Sequence, residues 1–477
     1  MVPAKPVPGA AWMLAATSFV PRSTTAVHPL ARSLSSSTTP TPTAATTATP
    51  TPTAWSRLAR LARSPRISVT CNSTNRAALA SKKDLHSYQH AEHTLLSHLP
   101  TTLDWSVTRV AIPRQFWHSG SVLDRLATAR ARTGPEYAIN TLVVRKRGST
   151  EEKPPLVLLH GWAGALGMWI NNLEALAEHH TVYALDHLGW GGSSRPAFAQ
   201  LFPTCDPDDA ALAGRAYFVE ALHAWRTHAP FDNVAPEDPP LVMIGHSMGG
   251  YIAASYALAH PETLARTILL SPIGLQGFPA APTNETDGVR ARVTRAVVQG
   301  VWASTPQRVL SVLGETRSRA LMSRARGRVA RFYGDDRIAH DMVEYLWRGV
   351  RRAPGIAGER AFAALGSPAI AGWRLALHDQ LLAAATVPGA PMYGKLAVAY
   401  GLRDWIDPSY AIRELAPRGV PVYLLPNAGH HGYVEDAERF ARVVVARGAQ
   451  VPEARSGVGK ELADDLVRER QGGWSVA

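Results

Sequence analysis

Apart from Thr181, Arg266 and Thr267, apolar residues in this chain gather into short unbroken runs, at 155–159, 181–185, 241–244, 266–270, 396–400 and 421–425. These runs do not alternate with polar positions, as a half-exposed strand would, so they read as strands covered on both faces. Residues 105–112 and 139–144 read as two further strands ahead of them. Helical periodicity lies between: 84–99 with Ala91, Leu95 and Leu96 on one side, 217–227 with Phe218, Leu222 and Trp225, and 251–260, stopped by Pro261. Strand alternating with helix predicts an α/β fold with a mostly parallel eight-stranded sheet and helices on both faces. From about 275 to 390 the strand pattern stops. Residues 290–313, 318–332, 338–352 and 359–365 read as helices there, the pattern of a helical lid inserted into the sheet fold. A last helix is expected over 435–446. The chain therefore divides into a leader (1–83), the first part of the core (84–274), the lid (275–390), the last part of the core (391–450) and a charged tail (451–477).

Composition changes this picture at both ends of the chain. The 477 residues carry a formal net charge of +12, which suits an anionic membrane surface as well as nucleic acid. No nucleic-acid-binding signature accompanies the charge, so no nucleic-acid partner is expected and a peripheral membrane surface is. Two cysteines, Cys71 and Cys205, leave neither a disulfide framework nor a cysteine-based zinc site, and no metal or cofactor is expected. No run of about 18 apolar residues predicts a membrane-spanning helix. Residues 1–83 lack Asp and Glu but hold ten Lys and Arg, among them Arg57, Arg60 and Arg63. These three arginines lie opposite Trp55, Leu58 and Leu61 on a short amphipathic helix. A basic, acid-free, Ser/Thr-rich leader is the composition of a mitochondrial transit peptide; a lipid-droplet, endoplasmic-reticulum or cytoplasmic location is the alternative.

The chemistry concentrates at the ends of the strands. Gly245-His246-Ser247-Met248-Gly249 joins the run at 241–244 to the helix that follows, the strand–turn–helix setting of a nucleophile elbow. Such a turn puts Ser247 in a strained conformation and leaves no room for side chains at Gly245 and Gly249. The Met248 N–H then points where an oxyanion would form. His160-Gly161-Trp162 follows the run at 155–159 and offers a second donor, the Trp162 N–H, with Gly161 allowing close approach of the backbone. Asp186, past the run at 181–185, is expected to organise its own turn. Asp404 follows the run at 396–400, with Asp407 in reserve, and His430 follows the run at 421–425, with His431 as the alternate base. Ser247, Asp404 and His430 come in the chain order expected of a Ser-Asp-His triad on this kind of sheet. The stretch 317–331 holds six arginines and no acid; Arg324, Arg326 and Arg328 are candidates to bind a phosphate head group.

These motifs resemble the α/β-hydrolase superfamily, in the branch of abhydrolase-domain lipases and the lipid-droplet lipase co-activator. That branch also holds lysophosphatidic acid acyltransferases and the mitochondrial cardiolipin-specific deacylase. The resemblance spans residues 88–446. It rests on Leu158-Leu159-His160-Gly161-Trp162, Asp186-His187-Leu188-Gly189-Trp190-Gly191-Gly192-Ser193-Ser194-Arg195-Pro196, residues 245–250, residues 400–407 and Ala428-Gly429-His430. It implies a serine acyl hydrolase on phospholipid esters, cardiolipin or a related glycerophospholipid, with lysophosphatidic acid acyl transfer or a non-catalytic lipid-surface scaffold as alternatives. Co-activator members carry Asn at the nucleophile position, so Ser247 implies an active esterase. Epoxide hydrolases and haloalkane dehalogenases need an Asp nucleophile, which Ser247 argues against. The branch tends to show His-x4-Asp around the catalytic histidine. Here His430 is followed by Glu435 at that spacing, and His431 by Asp436, a departure that bears on acyl transfer. Head-group choice, acyl-chain length and oligomeric state are not written in the sequence.

Overall fold

The computed structural model describes residues 82–113, 137–149, 153–196, 206–229, 231, 240–275, 315–352, 357–366 and 373–445, with the backbone alone at 82, 83, 318, 321–328 and 443–445. The expected leader, the helix at 290–313 and the charged tail lie outside these residues.

Eight strands form one sheet: β1 (Leu103–Ile112), β2 (Tyr137–Lys146), β3 (Leu156–Leu159), β4 (Val182–Leu185), β5 (Leu241–His246), β6 (Leu264–Leu270), β7 (Leu396–Gly401) and β8 (Val422–Leu425). Their order is β1-β2-β4-β3-β5-β6-β7-β8. β2 runs antiparallel to both neighbours, and every other pair is parallel. Every residue of β3, β4, β5 and β7 is buried, as their unbroken apolar runs require. Alternate residues feed two different cores. Val157, Leu159, Met243, Leu269 and Val398 join one; Leu156, Leu158, Val242, Ile268 and Ala397 join the other.

Helices cover both faces. α3 (Pro207–His228), α4 (Met248–Ala259), α7 (Ala357–Leu365) and α8 (His378–Thr386) pack on the first core, through side chains such as Tyr217, Ile252, Phe362 and Leu381. α1 (Lys82–Leu96), α2 (Ile170–Ala177) and α6 (Asp336–Arg351) pack on the second through Leu95, Leu173 and Tyr345. α5 (Glu315–Tyr333) precedes α6, so helices and no strand occupy the described chain between β6 and β7. Arg324, Arg326 and Arg328 fall in α5, but their side chains lie outside the described ones.

Element boundaries differ from expectation at three places. α1 starts at Lys82, just inside the expected leader. α3 begins ten residues before the apolar periodicity, where Asp206 accepts from the N–H groups of Asp208 and Asp209 and Pro207 occupies the first turn. The single helix expected at 435–446 is instead a short α9 (Gly432–Glu435) that breaks at Asp436 (φ −141°, ψ 56°) before two further turns.

Asp186 organises the loop after β4, as its position suggested. Its carboxylate accepts from the backbone N–H groups of Leu166 (2.8 Å) and Gly192 (2.7 Å), from the Asn140 amide (2.9 Å) and from the Tyr88 hydroxyl (3.1 Å). One carboxylate thus ties α1, β2, the loop after β3 and its own turn together at the rim of the sheet.

Candidate active site

Ser247 links β5 to α4 with φ 54° and ψ −111°, in the left-handed half of backbone space that a non-glycine residue enters only under constraint. The constraint is visible. The Ser247 N–H donates to the Leu270 carbonyl at 2.9 Å, and its carbonyl accepts from Tyr251 N–H at 3.1 Å. A Cβ on Gly245 would overlap the Gly249 carbonyl and lie 2.7 Å from Gly250 N; one on Gly249 would lie 2.7 Å from the His160 carbonyl oxygen. Both glycines are therefore required where the motif placed them. The Ser247 hydroxyl does not cap α4. Met248 opens α4, so its N–H is among the first-turn amides for which a helix supplies no acceptor.

The loop after β3 lies against this elbow. A Cβ on Gly161 would sit 3.2 Å from Ser247 Cβ and 2.8 Å from His246 Nδ1, so the loop backbone comes close to the elbow here. Gly161's carbonyl accepts from His160 Nδ1–H (2.7 Å) and from Gly164 N–H (3.1 Å). A trans peptide points its N–H away from its carbonyl, so the Trp162 N–H is turned out of this loop. His160 Nε2 accepts from the His187 N–H at 3.2 Å. With one ring nitrogen donating and the other accepting, His160 is neutral, and burial lowers its pKa to about 4. Ala163, next along, is also left-handed (φ 59°).

Past β7, the Asp404 Oδ1 carboxylate oxygen lies 3.0 Å from His430 Nδ1, with both side chains almost wholly buried. The same oxygen accepts from Ile406 N–H at 2.9 Å, which holds the carboxylate in place. The Trp405 ring packs 4.8 Å from the imidazole. Asp407, the reserve acid, is exposed and accepts from Ser409 N–H at 3.0 Å, a turn role. His431, the alternate base, stands with its Nδ1 buried and without a partner among the described residues; burial and the adjacent His430 lower its pKa to about 3. Of the candidate acids and bases, the pair that meets is therefore Asp404 and His430. Ser247 stands just past β5, two strands from β7, and its preceding residue is bonded to His430: His246 Nε2 is 2.9 Å from the His430 carbonyl oxygen.

The chain matches the alpha/beta hydrolase fold family over residues 154–437. It belongs to that family. This alpha/beta hydrolase is 32% identical over 305 residues to the mouse (lyso)-N-acylphosphatidylethanolamine lipase, covering 62% of this chain and 79% of the lipase. It is 31% identical over 296 residues to the rat 1-acylglycerol-3-phosphate O-acyltransferase ABHD5, covering 61% of this chain and 76% of that enzyme. A solved structure of naproxen esterase from Bacillus subtilis superposes with a TM-score of 0.45 at 16% identity, covering 77% of this chain and 99% of that one. The branch recognised from the sequence, one of phospholipid-related lipases and acyltransferases, is therefore the one this hydrolase falls in.

Three residues of the site were given no role in it by sequence reasoning, although Glu435 was noted for its spacing from His430. Gly401 ends β7, and a Cβ there would overlap the Gly429 carbonyl and lie 2.7 Å from the Ala428 carbonyl carbon. It is what lets the histidine loop cross the acid loop. His246 and Glu435 bond the backbone around His430. The local signals existed, a glycine ending a strand and an acid four residues on from His431, but neither names its partner. Among the described residues, no cluster of three or more His, Cys, Asp and Glu is arranged to hold a metal ion, and no helix is long and apolar enough to cross a membrane.

Proposed function

We propose that this hydrolase cleaves acyl esters of glycerophospholipids through Ser247, His430 and Asp404, with an anionic lipid of the cardiolipin type as the first candidate substrate. The observation that carries the reading is the buried His430–Asp404 pair, bonded through His246 to the strained turn that presents Ser247. In the mechanism, the Ser247 Oγ–C bond forms as its proton passes to His430 Nε2. Asp404 holds the imidazole with Nδ1–H inward and stabilises the imidazolium. The Met248 and Trp162 N–H groups receive the oxyanion, each contributing roughly 3 kcal/mol to the transition state. The ester C–O bond then breaks, and the lysolipid alkoxide takes the proton from His430. Water attacks the acyl-Ser247 ester, returns a proton through His430, and the fatty acid leaves.

Acyl transfer is the second reading, favoured by the rat acyltransferase relative. An acceptor hydroxyl would replace water in the last step, with the same proton route. Release of free fatty acid from cardiolipin vesicles, run beside transfer of labelled acyl-CoA to lysophosphatidic acid, separates the two. Ser247→Ala abolishes both on this reading. Retained turnover in that variant would contradict catalysis by Ser247, and failure of a fluorophosphonate probe to label Ser247 would favour the non-catalytic lipid-surface scaffold.

The basic charge supports docking on an anionic membrane surface, and the six arginines of 317–331 are the first segment to test. Arg324→Ala, Arg326→Ala and Arg328→Ala together are expected to weaken binding to anionic liposomes. Import into mitochondria is supported by the acid-free leader; a fluorescent fusion of residues 1–85 that stays diffuse in the cytosol contradicts it.

A further inference from the structure

The peptide joining His430 to His431 is gripped from both sides. Its carbonyl oxygen faces His246 Nε2 at 2.9 Å, and its N–H donates to Glu435 Oε1 at 3.1 Å. The other oxygen of Glu435 accepts from Gly429 N–H at 2.9 Å. One carboxylate therefore holds the amides on either side of His430, while an imidazole holds the carbonyl of His430 itself.

A carbonyl can only accept, so His246 must donate from Nε2–H. Its Nδ1 is then a bare lone pair, and that nitrogen is buried with no hydrogen-bond partner. Burial, His430 and His431 all push its pKa well below the ordinary value, in keeping with a neutral ring that keeps this tautomer. The ring fits because Gly161 has no side chain: a Cβ there would lie 2.8 Å from Nδ1. His246 thus touches the loop after β3, precedes Ser247 in the chain and bonds the backbone of His430.

We infer that His246 and Glu435 are positioning residues, a two-sided clamp that sets where the His430 imidazole stands relative to Ser247 and Asp404. This rests on the proposed Ser247–His430–Asp404 reading. The physical reason is leverage. His430 sits on a loop beyond the end of β8, and a backbone free to rock by a fraction of an ångström would move both ring nitrogens out of line at once. Neither clamp residue needs to touch substrate. Glu435 stands at the His-x4 spacing from His430, and its hydrogen bonds run to the loop backbone.

The test uses the full chain with a soluble p-nitrophenyl ester, reading kcat and KM separately together with the thermal unfolding transition. Glu435→Gln keeps the size of the side chain but turns an N–H toward one of the two amides. His246→Leu removes the donor, and His246→Gln puts an amide N–H back near the position of Nε2. The clamp predicts that Glu435→Gln and His246→Leu lower kcat by about ten-fold or more with KM within about two-fold, and that His246→Gln recovers most of the loss. The fluorophosphonate labelling rate of Ser247 falls in parallel. A folded Glu435→Gln variant with wild-type kcat overturns the inference. So does a Glu435→Gln variant without a cooperative unfolding transition, which assigns the residue to folding alone. If His246→Leu fails to fold, His246→Gln against wild type decides that half, and a ten-fold loss there overturns it. Ser247→Ala is run alongside. Its loss of turnover with Glu435→Gln unaffected sinks the clamp but not the triad, whereas retained turnover in Ser247→Ala sinks the triad itself.

Discussion

Glu92 and Asp186 share a single donor: the Asn140 side-chain amide gives one hydrogen bond to Glu92 Oε1 at 2.8 Å and one to Asp186 Oδ2 at 2.9 Å. Two buried carboxylates drawn this close cannot both ionise cheaply. Loss of water around Glu92, and then the charge of Asp186, raise the Glu92 pKa to about 8. Its place on α1 makes that helix's docking against the Asp186 loop sensitive to charge.

A raised carboxyl pKa has a definite sign. Unfolded Glu92 ionises near 4.5 and folded Glu92 near 8, so its contribution to stability is full below 4.5 and is lost as pH rises through that window. Glu92→Gln, which stays neutral and keeps an acceptor for Asn140, is therefore expected to melt higher than wild type at pH 8. The advantage should shrink to nothing near pH 4.5. Equal melting temperatures at pH 8 would contradict the buried, protonated carboxyl.

The histidines act in the opposite direction. His160 is held to about 4 and His431 to about 3, in each case chiefly by burial. Below their ordinary 6.5 the unfolded chain takes up protons that the folded chain refuses, so stability falls as pH drops from about 6.5 toward 4. Measured in the Glu92→Gln background, which removes the opposing carboxyl, the urea midpoint is expected to fall steadily between pH 7 and pH 4.5. A flat midpoint across that range would show these rings accepting protons in the folded state.

Asp404 and Asp407 stand three residues apart, and only one meets His430. Asp404→Asn is expected to lower kcat for ester hydrolysis by roughly 10⁴-fold, because the wrong imidazole tautomer is then favoured. Asp407→Asn should leave kcat within about two-fold, since surface substitutions away from such features act weakly. The pair of variants, assayed on one ester, checks the assignment directly.

Gly401→Ala places a methyl against the Ala428–Gly429 backbone, where no side chain can swing aside. Overpacking of this kind costs about 1–3 kcal/mol, and here it also pushes the histidine loop away from Asp404. The expected result is a lower urea midpoint together with a kcat loss larger than the stability change alone would cause. An unchanged kcat in the folded variant would mean that the two loops move together.

What was readable along the chain was whatever its own neighbours dictate. The nucleophile turn could be read because strand, glycines, serine and helix are contiguous, and the steric demand that fixes Gly245 and Gly249 acts within five residues. The parallel sheet was readable because burial on both faces leaves few polar residues in its central strands, none of them in β3. Helix α3 shows the limit. Its apolar face was evident from 217 onward, but its first turns are capped by Asp206 and packed by small residues that carry weak periodicity.

Sequence alone therefore determined the fold, the elbow at Ser247 and the placing of Asp404 and His430 just past later strands, since each depends on local sterics or on a run of burial. Tertiary structure decided that His430 rather than His431 meets Asp404 rather than Asp407, and which backbone amides Glu435 holds. Those choices depend on which atoms from distant strands arrive within 3 Å of one another. Residues of the same type a few positions apart look alike until packing brings one of them, and not the other, to a partner: His430 and Asp404 meet, while Asp407 is exposed and His431 is buried without that acid.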